Sequence, residues 1–242
     1  MTALLASVRD RREAAIAIAA GCDWLDLKAP EAGALGALAV DSVTEIVASY
    51  RGQIPISATI GDCWDIPQAI PFRVAQYART GVDYLKLGLF VDRLNGALET
   101  AFRVALATFP RLIAVCFAEA MPTHDDVARL AALGFQGVML DTADKSSGAL
   151  PDHVRLDDLR QFVTVGQAAR LVVGLAGGLR ATDIAALLPL RADYLGFRGA
   201  LCHRHDRSAG IDPNAMLTIR SLLSARPPAA PVKHEESRYG LA

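Results

Sequence analysis

Short apolar runs recur along the chain, and the longer stretches between them carry apolar residues at helical spacing. The runs near 3–8, 24–28, 55–60, 84–89, 111–117, 137–141, 171–176 and 194–198 are of strand length. The intervening Ala-rich stretches, such as 11–20, 68–80, 94–107, 124–133 and 181–188, predict amphipathic helices. Strands that alternate with helices predict a parallel sheet. Eight such units close into an α/β, all-parallel (β/α)8 barrel of the TIM type. The competing architecture, an open doubly wound sheet, would carry a GxGxxG turn after its first strand, and none is present there.

A weak internal repeat points the same way. Gly21-Cys22-Asp23-Trp24-Leu25 resembles Gly81-Val82-Asp83-Tyr84-Leu85, with looser copies at Gly134-Phe135-Gln136-Gly137-Val138 and Arg191-Ala192-Asp193-Tyr194-Leu195. The copies are spaced by about two strand–helix units and mark the even-numbered strands. Glycine at the start of the motif suits a left-handed residue that ends a helix. The barrel is expected over residues 1–224. From Ala225 to Ala242 three prolines and a charged stretch predict a flexible tail outside it.

Composition narrows the function classes. Hydrophobic residues are 52% of 242, enough for a large core in one domain. The 25 basic residues nearly cancel the 26 acidic ones, so no nucleic-acid or membrane partner is expected. Aromatics at 6% argue against base-stacking platforms. Cys22, Cys63, Cys116 and Cys202 are far apart with no zinc spacing, and are read as reduced thiols of a cytoplasmic protein. The apolar N-terminal run is too short for a signal peptide, and no stretch is long and apolar enough to span a bilayer.

In such a barrel the chemistry lies at the C-terminal ends of the strands. Period-2 alternation in Trp24-Leu25-Asp26-Leu27-Lys28 turns the leucines outward and Asp26 and Lys28 inward. The same rule turns Lys86, Asp141 and Arg198 inward, with Lys145 one short loop beyond Asp141. Three lysines and two aspartates thus converge on one mouth. Buried charges must pair or serve chemistry, and a structural ion-pair ring of Asp26, Lys28, Lys86 and Asp141 is the alternative reading. Lysine suits carbonyl chemistry: a neighbouring cation disfavours its charge, and a carboxylate can shuttle the protons.

The loops after strands seven and eight, Ala176-Gly177-Gly178-Leu179 and Arg198-Gly199-Ala200, read as a phosphate cradle. Its elements are Gly177, Gly178, Arg198, Gly199 and Ala200. Asp62 and Glu119 are possible supporting groups at the ends of strands three and five, with a turn or cap as the equal reading of Asp62. His203, Arg204, His205 and Arg207 add positive charge nearby, without a third ligand that would make a metal site. Asp125 and Asp126 suit the first turn of a helix.

These segments together resemble a known family. Asp26-Leu27-Lys28-Ala29-Pro30-Glu31-Ala32-Gly33-Ala34-Leu35-Gly36 is similar to the signature of the (5-formylfuran-3-yl)methyl phosphate synthases of methanofuran biosynthesis. So are Ser57–Asp62, Tyr84–Leu89, Met139–Lys145, Leu175–Gly178 and Gly196–Cys202, in order over residues 1 to about 224. The resemblance implies a TIM barrel lyase that makes its furan from two molecules of glyceraldehyde 3-phosphate, through a Schiff-base lysine and without cofactor or metal. It implies Lys28 as the Schiff-base lysine and Asp26 as its proton partner, with Lys86, Asp141 and Lys145 completing the catalytic set. The expected partner is a small phosphosugar, and a homo-oligomer is compatible with the sequence. Two departures are a short stretch between strands five and six and the basic, His-rich loop Cys202–Arg207. The Ala- and Arg-rich composition looks bacterial, which for this family implies a role in one-carbon oxidation with a methanofuran-like carrier.

Overall fold

The computed structural model describes residues 1–63, 65–90, 92, 94–144 and 147–224. Eight parallel strands form a closed barrel in sequence order. They are β1 (Ala3–Val8), β2 (Trp24–Leu27), β3 (Ile56–Thr59), β4 (Tyr84–Leu89), β5 (Leu112–Phe117), β6 (Gly137–Asp141), β7 (Val172–Leu175) and β8 (Tyr194–Phe197). Closure rules out the open sheet. The barrel ends in a helix that runs to Ser224, and the tail expected at 225–242 lies outside the described residues.

Helices α1 (Arg11–Ala19), α2 (Val40–Tyr50), α3 (Ala69–Ala78), α4 (Gly96–Thr108) and α5 (His124–Leu133) follow the first five strands. After β6 come a single turn, α6 (Leu150–His153), and then α7 (Leu156–Ala168), broken by the extended backbone of Arg155. The helix expected at 181–188 is instead a four-residue α8 (Ile184–Leu187) between 3-10 turns. Pro189 cannot donate a backbone hydrogen bond and prevents further growth. An amphipathic α9 (Pro213–Ser224) completes the ring. Asp126 forms a capping box with Thr123 at the start of α5, where the sequence placed an acidic first turn.

Two apolar layers result from the strand alternation. Outward side chains such as Leu25, Leu27, Leu85, Leu87 and Val138 pack under the helices. Leu5, Trp24, Ile113, Met139 and Tyr194 pack inside the barrel. The internal repeat has a mechanical cause. Gly21, Gly81 and Gly134 have φ of 79°, 80° and 105°, and Arg191 takes the same left-handed conformation at 57°. In three of the copies the aspartate two residues on then accepts an amide at the start of the preceding odd strand: Leu4 N to Asp23 at 2.8 Å, Ile56 N to Asp83 at 2.9 Å and Val173 N to Asp193 at 2.7 Å. These three copies therefore fix where an even strand starts relative to its neighbour, which sets what faces inward above.

Candidate active site

An aromatic floor closes the barrel below the site. Trp24 lies 4.9 Å from Tyr84 and 5.0 Å from Tyr194, centroid to centroid, in tilted and edge-on contacts. Gly174 leaves room for Tyr194, because a Cβ there would sit 2.2 Å from the ring.

Directly above, the register places Ser7, Asp26 and Ser57 side by side on β1, β2 and β3, and Thr59 beside Lys86 on β3 and β4. Asp26 accepts from Ser57 Oγ at 2.6 Å and from Ser7 Oγ at 3.1 Å. The Lys86 ammonium stands 2.9 Å from Asp26 Oδ1, as an ion pair without a well-aligned hydrogen bond. It also lies 5.4 Å from the Tyr194 ring centre. Burial pushes the Asp26 carboxyl up, yet the charges of Lys86 and Lys28 and the Ser57 hydrogen bond outweigh it and hold it below the usual carboxylate range. Asp26 is therefore an anion at neutral pH.

Lys28 is buried one layer higher and donates to the Ala34 carbonyl at 2.9 Å. The loop after β2 is shaped to put that carbonyl there. Ala29 N donates to Gly36 O at 2.8 Å, and Thr59 Oγ1 donates to the same oxygen at 2.8 Å. A Cβ on Gly36 would meet Ala29 O at 2.2 Å, so only glycine closes the loop.

Asp141 is buried at the end of β6 and accepts from Thr142 N at 2.8 Å. Lys145 lies outside the described residues. Asp26, Lys28, Lys86 and Asp141 all line one cavity of about 680 Å³, a size suited to small ligands. Its opposite wall carries Gly177, Gly178, Gly199 and Ala200. Gly177 and Gly178 have φ of 98° and 59°. A Cβ on Gly177 would stand 2.8 Å from Thr142 N, and one on Gly178 2.9 Å from Gly148 O, so both turns require glycine.

Three candidates sit elsewhere than the sequence suggested. Asp62 is exposed and abuts Gly33 in the loop after β2, where a Cβ would meet its Oδ2 at 2.5 Å; it is not part of the cavity wall. Glu119 also lies outside the wall. Its carboxylate accepts from Ala143 N at 2.8 Å and Asp144 N at 3.1 Å, and so braces the loop that follows Asp141.

Arg198 is the substantive correction. Its backbone is at the strand top and lines the cavity, but its guanidinium is committed to the protein. Nε donates to Arg207 O, Nη1 to Ser7 O and Glu13, and Nη2 to Glu13 and Ala209 O. All five N–H donors are thereby used, leaving none for the phosphate clamp expected from its position. Alternation along β8 predicts that Arg198 points inward, and says nothing about Glu13 on α1, whose side chain is 4% exposed. Arg198→Ala is therefore expected to cost stability, about 1.5–3 kcal/mol, the scale of a lost hydrogen bond to a charged group, because Glu13 keeps its pair with Arg9. Chemical denaturation of this variant against the native chain measures that loss.

Sequence reasoning also missed Ser7 and Ser57, which hold both oxygens of Asp26. Strand alternation turns both inward, but an inward serine carries no charge whose burial would mark it as functional.

The family model described as 4-HFC-P synthase matches residues 4–220, nearly the whole described barrel. The chain belongs to the 4-HFC-P synthase family. Among relatives of this family, a putative (5-formylfuran-3-yl)methyl phosphate synthase of Methylorubrum extorquens is 43% identical over 210 residues, covering 86% of each chain. The (5-formylfuran-3-yl)methyl phosphate synthase of Methanopyrus kandleri is 35% identical over 218 residues, covering 86% of this chain and 92% of that one. Among solved structures, a 3-hexulose-6-phosphate synthase superposes with a TM-score of 0.66 at 14% identity, over 92% of this chain and 100% of that one. Phosphoribosyl anthranilate isomerase of Thermus thermophilus gives 0.65 at 14% identity, over 92% and 98%. At such identities the structural likeness speaks for the barrel alone.

Proposed function

We propose that this 4-HFC-P synthase family member is a carbon–oxygen lyase that condenses two molecules of glyceraldehyde 3-phosphate into (5-formylfuran-3-yl)methyl phosphate, for a methanofuran-type carrier, through a Schiff base on Lys28. The observation that carries the reading is the buried trio of Lys28, Lys86 and Asp26 in one cavity with a glycine-lined opposite wall. Lys86 is committed to an ion pair with Asp26 at 2.9 Å. Lys28 donates to a neutral carbonyl, an acceptor that a neutral amine can also use.

The Lys28 amine adds to one triose aldehyde, and loss of water from the carbinolamine gives the imine. Removal of the neighbouring C–H proton gives an enamine, whose electron pair expels the phosphate of that triose. Asp26 is placed to carry protons in these steps. The second triose keeps its phosphate and is first isomerised to its ketone; the carbon nucleophile attacks that carbonyl carbon, which gives the branched skeleton of the product. Ring closure and loss of two waters complete the furan, and hydrolysis of the imine, which takes back the water its formation released, frees the product aldehyde and the Lys28 amine. The balance closes: two triose phosphates, less one phosphoric acid and two waters, give the furan monophosphate.

Incubation with glyceraldehyde 3-phosphate tests this through the mass and ultraviolet absorbance of the product. A conjugated furan aldehyde supports the reading; an aldol or a retro-aldol fragment would make the protein an aldolase-type lyase instead. Among the described residues no three His, Cys, Asp or Glu side chains gather so that they could hold a metal ion. Turnover is accordingly expected to be unchanged in EDTA. Activity lost in the chelator and restored by a divalent metal would overturn the metal-free mechanism.

A further inference from the structure

With the Arg198 guanidinium consumed internally, the cavity needs another cation for its anionic substrate. We propose that Arg207 is the side chain that binds a substrate phosphate, and that the Glu13–Arg198 pair is the brace that aims it; this rests on the reading of the cavity as a site for phosphorylated trioses.

Arg207 is half-buried and lines the cavity. Among the described residues its guanidinium makes no hydrogen bond or ion pair. That is unlike Arg180 on the same wall, which is bound to Asp152 and Asp183. The Arg207 Cβ lies 3.9 Å from where a Gly199 side chain would begin, with the His205 carbonyl oxygen at 3.4 Å, so the arginine starts beside Gly199 on the cavity wall. A planar guanidinium on this wall can meet two phosphate oxygens at once.

Arg207 carries its charge in a poorly solvated place. Burial lowers the pKa of Arg207; Asp141 and Glu31 oppose the shift, and the like charge of Arg198 adds to it. A phosphate between the cavity wall and Arg207 would offset both the burial and the repulsion.

The loop that carries Arg207 is fastened along its backbone. Arg198 donates to Arg207 O and to Ala209 O, each at 2.9 Å, and Arg9 Nη1 donates to Ser208 O at 2.5 Å. Glu13 ties both arginines, accepting from Arg198 and pairing with Arg9 at 3.1 Å. Just upstream, Arg204 and His205 hold φ of 54° and 58°, two successive non-glycine residues in the left-handed region. Such strain persists only where the surroundings over-determine it, and it gathers at ligand-binding sites.

Titration calorimetry with inorganic phosphate and with glycerol 3-phosphate, which has no aldehyde to react, tests the proposal. Arg207→Gln is expected to weaken both ligands about tenfold or more, as loss of a hydrogen bond to a charged group does, with an unchanged melting temperature. Arg207→Lys should recover part of the affinity. Glu13→Gln is expected to weaken phosphate binding in its folded fraction although Glu13 does not line the cavity. Native affinity in Arg207→Gln, or no saturable phosphate binding by the native chain, would overturn the assignment. Native affinity in folded Glu13→Gln would overturn the brace. If the native chain makes no furan yet binds phosphate through Arg207, the furan-forming reading fails and the anion site stands for another phosphosugar.

Discussion

Lys28→Arg is expected to abolish both turnover and the adduct that borohydride traps in the presence of glyceraldehyde 3-phosphate. Arginine keeps about the length and a donor for the Ala34 carbonyl, so the loop after β2 stays closed. It cannot supply an unprotonated amine, so no imine forms. The loss should be a thousandfold or more, about the scale seen when a covalent or acid–base group is removed from a preorganised site. In the native chain the reduced adduct should map to the peptide that contains Lys28. An adduct on Lys86 alone would move the nucleophile one strand over; native turnover by Lys28→Arg would end the Schiff-base account of this residue.

The second large effect is expected at Asp26, and it appears in both stability and rate. Asp26→Asn leaves the Lys86 ammonium, 1% exposed, without its counter-charge. Breaking a buried pair from one side costs about 3–5 kcal/mol. For a domain of this size that is roughly 6–20 °C in melting temperature. The double replacement Asp26→Leu with Lys86→Met should cost less than the sum of the single changes, since no charge is then stranded.

The pH dependence has a definite sign. The folded-state carboxyl is held below its ordinary value, so the unfolded chain binds its proton first as the solution is acidified. The contribution of Asp26 is complete above the unfolded pKa of about 4 and is lost as pH falls through the lower folded value. Asp26→Asn should flatten that acid limb. An acid limb identical to that of the native chain would show that Asp26 does not carry it. Because the same carboxylate moves protons in the proposed reaction, the variant should also lose turnover by about 10²–10⁴.

Both effects depend on residues that alternation along single strands brought to view. Within β2 a period of two is enough to send Leu25 and Leu27 out and Asp26 and Lys28 in, because successive Cβ atoms leave a pleated strand on opposite sides. The repeated Gly-x-Asp signal was likewise local: a left-handed residue and a carboxylate that caps the neighbouring strand. Lys86 and Asp141 follow from the same rule. The eight strands stood out because buried parallel strands are apolar on both faces.

The charge partners were decided elsewhere. That Lys86 stands within 2.9 Å of Asp26 depends on the register of β2, β3 and β4 around the barrel, which no single strand encodes. That Arg198 spends its donors on Glu13 and three carbonyls depends on α1 and the 203–210 loop meeting over β8, residues some 190 positions apart in the chain. Asp62 and Glu119 moved from the expected site for a similar reason: a residue just past a strand end takes its direction from the loop, which follows no period. Sequence periodicity by itself therefore determined the barrel and the side of each strand on which a side chain stands. Only the tertiary structure decided which of those charges neutralise one another and which are left facing the cavity, because pairing energy depends on distances across the barrel rather than along the chain.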